Sequence, residues 1–143
     1  MEQIHSVFNK YAQWYQEVRI DRFDVQTSPL HVTKPIEFMG LAKNGMSVIL
    51  FKLGEFYPGN TTIIEGVQYI GASIEQYLQK SKPHLDKALM ILDIQNVSMK
   101  NLRMDTIKQA IPIFSNYFPD TLYKEYVVNA NFLVSGFLKV VKK

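Results

Sequence analysis

Apolar residues along this chain change their spacing from segment to segment, and the changes divide it into elements. Ile4, Val7, Tyr11, Trp14 and Val18 follow one another at steps of three and four, one stripe of a helix, which predicts a helix over residues 3–19. The stripe has to be covered, by the rest of the domain or by a membrane surface. The second is disfavoured because the polar face (Glu2, Gln3, Asn9, Gln13, Glu17) is poor in Lys and Arg. From Asp21 to Pro35 the period is lost, and Ser28-Pro29 and Lys34-Pro35 mark a turn-rich connector.

Two strand-like runs come next, over 36–39 and 47–53. Between them lies Lys43-Asn44-Gly45, whose Asn and Gly tolerate positive φ, so the two runs are expected to pair antiparallel. Thr61 or Thr62 is placed to cap a helix over 62–80, with Ile63, Val67, Ile70, Ile74 and Leu78 as its buried stripe. Ala88 to Ile94 is apolar on both faces, the pattern of a central parallel strand over 87–94. A helix over 102–117 with Pro112 inside it, a strand over 123–129 and an apolar helix over 131–141 complete the series. The alternation predicts one α/β domain with a mixed, mostly parallel sheet and right-handed crossover helices. Residues 1–20 form its leading helix, 21–35 the connector and 36–143 the sheet with its crossovers.

Composition narrows the class. In 143 residues, 47% hydrophobic and 20% charged, there is material for one well-cored domain, and no run is long and apolar enough for a membrane-spanning helix. Cysteine is absent, which excludes disulfides, thiolate metal sites and cysteine nucleophiles and suits a reducing compartment. The first 20 residues carry Glu2, His5, Asn9 and Lys10 where a secretory signal would be apolar, so a cytoplasmic location is expected. The net charge of +3 comes from the second half, with ten Lys and Arg against six Asp and Glu over residues 72–143. Those cations are spread over many turns rather than gathered in a tight cluster, so no nucleic-acid partner is expected.

Catalytic and cofactor chemistry find little support. No glycine-rich phosphate loop follows any strand, and Ser135-Gly136 lies inside a helical pattern rather than at a nucleophile elbow. His5, His31 and His84 lack ligand spacing, so no metal site is expected. Asp93 sits near the carboxyl end of the buried strand, where α/β sheets bind ligands. Its companion two residues on is Gln95 rather than a second carboxylate, which leaves Asp93 to accept N–H groups of the Gln95 to Ser98 turn. No catalytic residue is assigned, no cofactor is called for, and the chain is not expected to be an enzyme. Phe38, Ile49, Phe51, Met90, Leu92 and Phe132 stand out instead, as large apolar residues on or beside strands that look buried on both faces. Either the N-terminal segment covers the second face, or something other than protein does.

The order of short motifs resembles the CRAL-TRIO lipid-binding domain, the family of phosphatidylinositol, phosphatidylcholine, tocopherol and retinaldehyde carriers. The resemblance rests on Lys87 to Ser98 (KALMILDIQNVS), on Tyr117-Phe118-Pro119-Asp120 and on Val127-Val128-Asn129-Ala130. Lys10 to Tyr15 (KYAQWY) and the Asn44-Gly45 hairpin with Val48-Ile49 extend it upstream. It implies a sheet that floors an apolar pocket holding one lipid, with Phe38, Ile49, Phe51, Met90, Leu92 and Phe132 around the ligand and Asp120 where phosphatidylinositol binders carry Glu. Phe38, Ile49, Ala88 and Met90 stand where phosphatidylcholine binders place hydroxyls. Asn131 replaces a proline, and Lys143 precedes the family's final strand and gating helix, so the domain is expected to be C-terminally incomplete.

The resemblance thus implies binding, and transfer between membranes, of a phosphoinositide or another apolar lipid by a protein in peripheral contact with membranes. The alternative is a pocketless relative that binds small GTPases or their regulators. An open sheet edge after Tyr123 to Asn129 and a last helix apolar on several sides lead to an expectation of self-association. The competing account rests the same helix on a membrane.

Overall fold

Two helices, four strands and a run of tight turns make up the described part of the chain. The computed structural model describes residues 2–56, 61–81, 87–98 and 121–130. The predicted helices over 102–117 and 131–141, and with them Asp120 and Phe132, lie outside these residues.

The leading stripe forms helix α1 (Glu2–Val18), which buries Trp14 and Val18 and packs Tyr11 and Tyr15 against the core. It stops where Arg19 turns left-handed at φ 54°, a conformation tied down by a two-pronged hydrogen bond from its guanidinium to Asp21 (3.0 and 2.7 Å). The connector is three short 3-10 turns, Ile20–Arg22, Val25–Thr27 and Pro29–Val32, and each drops one apolar side chain inward: Ile20, Val25 and Leu30. Asp24 and Ser28 begin the second and third by accepting the N–H groups of Gln26 (2.9 Å) and Leu30 (3.3 Å).

Strands β1 (Ile36–Leu41) and β2 (Ser47–Lys52) pair antiparallel around the Asn-Gly turn, where Gly45 takes φ 89° and the Asn44 side chain accepts the Met46 N–H (3.2 Å). A bulge between Phe38 and Gly40 shifts the register by one residue. Helix α2 (Ile63–Leu78) opens with a capping box: Thr62 accepts the Glu65 N–H (3.2 Å) and Glu65 accepts the Thr62 N–H (2.7 Å). It leads into β3 (Ala88–Asp93), and β4 (Leu122–Val128) lies outside that. The sheet order is β1-β2-β3-β4, with β2, β3 and β4 parallel, which is the mixed, mostly parallel sheet expected from the pattern.

Burial on β2 alternates strictly: Ser47, Ile49 and Phe51 are buried, whereas Val48, Leu50 and Lys52 are half-buried. The buried face continues through Ala88 and Met90 and packs with α2, α1 and the 3-10 turns as one core. The expectation that β3 is sealed on both faces is corrected here, because Leu89 and Ile91 on its second face are only half-buried. The N-terminal helix does not cover that second face. Trp14 and Val18 join the same cluster as α2.

Glu75 sits half-buried on α2. Burial, and then the nearby Asp21, push its carboxyl above the ordinary glutamate range; Tyr11 and Tyr15 of α1 are raised by burial first and by the Glu75 charge second. A carboxyl whose pKa is higher folded than unfolded favours the fold below the ordinary glutamate range, and that contribution is lost as pH rises through the raised value. Glu75→Gln is therefore expected to raise the urea midpoint at about pH 8 and to leave it unchanged at about pH 3, below both values. Equal gains at both pH values would refute the electrostatic origin.

Candidate functional site

The register settles which of the apolar residues meet. Phe38 lies opposite Ile49, and Ile49 opposite Met90; one step along, Ile36 lies opposite Phe51 and Phe51 opposite Leu92. Because side chains alternate along a strand, Phe38, Ile49, Phe51, Met90 and Leu92 all fall on one face, the one that α2 covers. Ile49 is 0% exposed and Met90 2%. Phe51 meets Phe56 edge to face at 5.7 Å, and Phe38 stacks on Tyr77 of α2 at 5.8 Å with the Lys80 ammonium 4.7 Å above its ring. Five of the seven residues expected around a ligand are thus brought together, at the interface of the sheet and α2. Asp120 and Phe132 lie outside the described residues.

The polar groups at this interface divide into two sets. At the C-terminal end of α2, Ser47 donates to the Tyr77 carbonyl (2.6 Å), its N–H donates to Ser81 (3.1 Å) and the Tyr77 phenol donates to the Ile36 carbonyl (3.1 Å). This group bolts the helix to the hairpin with every hydroxyl satisfied.

One and two turns earlier, Ser73 and Tyr69 are 1% and 0% exposed; their hydroxyls lie beside each other, and among the described residues neither has a further hydrogen-bond partner. Burial pushes the Tyr69 phenol up to about 12, aided by Tyr77 and Glu37 and tempered by Ser73. Both residues belong to α2, four positions apart and therefore on one side of it. Sequence reasoning passed over them. The stripe Val67, Ile70, Ile74 marks the centre of the buried face, and Tyr69 and Ser73 flank it, a signal visible once the stripe is widened by one residue.

Asp93 does what a turn carboxylate does. It accepts the Gln95 N–H (2.9 Å) and the Asn129 side-chain amide (2.8 Å), which ties the carboxyl ends of β3 and β4 together. On the face away from α2, Lys52 pairs with Glu37. Among the described residues no three His, Asp or Glu side chains gather in a way that would hold a metal ion, and no helix is long and apolar enough to cross a membrane.

A sheet of this order, with its crossover helix over the Ile49 and Met90 face, invites comparison with known proteins. Residues 31–143 match the CRAL/TRIO domain. The chain belongs to that family. It is 27% identical, over 96% of its length, to a phosphatidylinositol/phosphatidylcholine transfer protein, SFH14, of Arabidopsis thaliana. It is 28% identical, over 75% of its length, to SFH13, a second such protein of the same plant. It spans 27% and 19% of the lengths of these two relatives. The crystal structure of Sfh5 superposes with a TM-score of 0.75 over 99% of the chain and 56% of Sfh5; at 16% identity this similarity establishes the fold.

Proposed function

We propose that this CRAL/TRIO chain binds a hydrophobic lipid in a pocket over its sheet and transfers it between membranes. The observation that carries the reading is the convergence of Phe38, Ile49, Phe51, Met90 and Leu92 on one face in a domain of this family. An acyl or polycyclic chain laid against such a face gains about 25 cal/mol per Å² of apolar surface removed from water. The relatives named for phospholipid transfer support lipid as the ligand class. Binding, rather than bond-making, fits the described residues, whose one strand-end carboxylate is occupied in a turn.

Contact with a membrane surface belongs to the same reading, because the lipid has to be taken from one. Pairing of two copies along the outer edge of β4, one of the two outermost described strands, belongs to it as well; Val127 and Val128 are exposed there. The near-complete burial of Ile49 and Met90 under protein favours a second reading, in which the face is sealed and the domain serves as a protein-interaction module that binds small GTPases or their regulators.

Native mass spectrometry of the purified protein, before and after incubation with phosphatidylcholine vesicles, separates the two. One bound lipid per chain, together with movement of labelled lipid from donor to acceptor vesicles, is the expected result. A lipid-free mass in both samples would refute lipid binding and leave the sealed module.

A further inference from the structure

The two ends of the sheet differ in charge. At one end Leu41 lies opposite Ser47, Ser47 opposite Ala88 and Ala88 opposite Leu122, a single row across the four strands. Helix α2 finishes at the same row, where the Ser81 hydroxyl accepts the Ser47 N–H at 3.1 Å. Lys43 stands in the turn beyond the row, Lys80 at the close of the helix and Lys87 at the entry to β3. Three exposed cations far apart in the chain are thus gathered at one edge.

Among the described residues none of the three is in an ion pair; Arg19, Arg22 and Lys52 are the cations that are. The carboxylates of the sheet lie elsewhere. Glu37 pairs with Lys52, Asp93 closes β3 at the far end, and Glu125 is opposite Met90, two residues along β3 from the row. Apolar side chains accompany the cations: Met39 and Leu41, which lead into the turn, and Tyr123 of β4 are exposed. The Lys80 ammonium sits 4.7 Å from the Phe38 ring centroid, and that of Lys87 6.0 Å from the Tyr123 centroid.

We propose that this hairpin end of the sheet is the surface by which the protein docks on a bilayer rich in anionic phospholipid. The inference rests on the transfer reading above and deepens it by naming the part of the chain that meets the membrane. An anionic leaflet attracts lysines that no carboxylate has already neutralised. Leu41 and Met39 gain by entering the boundary of the acyl region, and a tyrosine ring suits the headgroup level. Exposed aliphatic side chains gain nothing from a phosphodiester backbone in water, so the bilayer is favoured over a nucleic acid.

The test is co-sedimentation of the whole protein with phosphatidylcholine vesicles made with and without phosphatidylserine. The wild type is expected to bind the serine-containing vesicles more tightly, and to lose that preference in high salt. Lys43→Gln and Lys87→Gln are each expected to weaken that binding about fivefold, the effect of one lysine at an anionic surface. Leu41→Ser is expected to weaken it as well. Lys34→Gln makes the same change of charge at the opposite end of the sheet, where the neighbouring Pro35 carbonyl accepts the Lys52 N–H, and should leave binding unchanged. All four positions are exposed, so the fold is expected to survive, as circular dichroism would show.

Equal weakening by Lys34→Gln would assign the binding to net charge and overturn the inference. Equal binding to both kinds of vesicle, or to neither, overturns it as well, as does binding to a single-stranded oligonucleotide in place of vesicles. In each of these cases a lipid retained in native mass spectrometry leaves the lipid-binding reading standing, and a lipid-free mass removes that reading separately.

Discussion

Met90→Asp is expected to unfold the protein at neutral pH. Met90 is 2% exposed on the central strand β3, between Ile49 of β2 and the β4 strand, under α2. A carboxylate there, opposite Ile49 and inside the buried apolar cluster, loses its water. Truncating a buried Met to Ala already removes roughly 2–5 kcal/mol, and the added charge costs more, against a total stability of about 5–15 kcal/mol for a domain. The family resemblance implies a milder outcome, loss of lipid loading at a smaller cost in stability than a charge in the core. The burial of Met90 in the packed cluster argues for the larger effect.

Circular dichroism and urea titration read the result. Met90→Leu, which keeps volume and polarity, should cost less than about 1.5 kcal/mol. Part of the lost structure in Met90→Asp should return in acid, where the carboxyl is neutral. A Met90→Asp protein with wild-type stability at neutral pH would show that the position is wet and would remove it from the core.

Gly54→Ala is expected to destabilise by roughly 1–3 kcal/mol, through a clash that no side-chain rotation relieves. A Cβ on Gly54 would run into the carbonyl oxygen of Gln95 and come within 3.1 Å of the Asn96 carbonyl carbon, both backbone atoms. That turn is held by the Asp93 carboxylate, which accepts the Gln95 N–H at 2.9 Å and reaches Asn129 at 2.8 Å. To admit a methyl group, the chain after β2 or the turn after β3 has to move, and the tie to β4 loosens with it. Gly66→Ala is the matched control: its Cβ would meet only the Phe56 ring, at 3.6 Å, an ordinary contact. Inside helix α2 that change should be neutral or stabilising by up to about 1 kcal/mol. Equal urea midpoints for the two variants would show that the Gly54 contact yields.

Much of the described fold was legible in local chemistry. The three-four stripe of Trp14 and Val18, the Asn44-Gly45 turn and the Thr62 cap each act within a few residues, so the element boundaries fell within two residues of the structure wherever it describes them. The connector was readable as turns, yet the burial of Ile20, Val25 and Leu30 by its 3-10 geometry was not, because such short turns have no repeating pattern. That Phe38, Ile49 and Met90 would share a face also required pairing, since the bulge between Phe38 and Gly40 and the parallel alignment of β2 with β3 set which residues lie opposite one another.

By itself the sequence determined the class of the domain, the order of its elements, the family resemblance and the apolar character of the residues around the candidate site. These depend on periodicity and on motifs contiguous in the chain. Tertiary structure alone decided which face of the sheet became the core. In Val48-Ile49-Leu50-Phe51 and Leu89-Met90-Ile91-Leu92 both alternating sets are apolar, so hydrophobic pattern could not choose between them. The choice followed from where α2 and α1 pack. The same packing buried Tyr69 and Ser73. On an isolated helix they are two ordinary polar residues beside an apolar stripe, and only the sheet laid against that helix takes away their water.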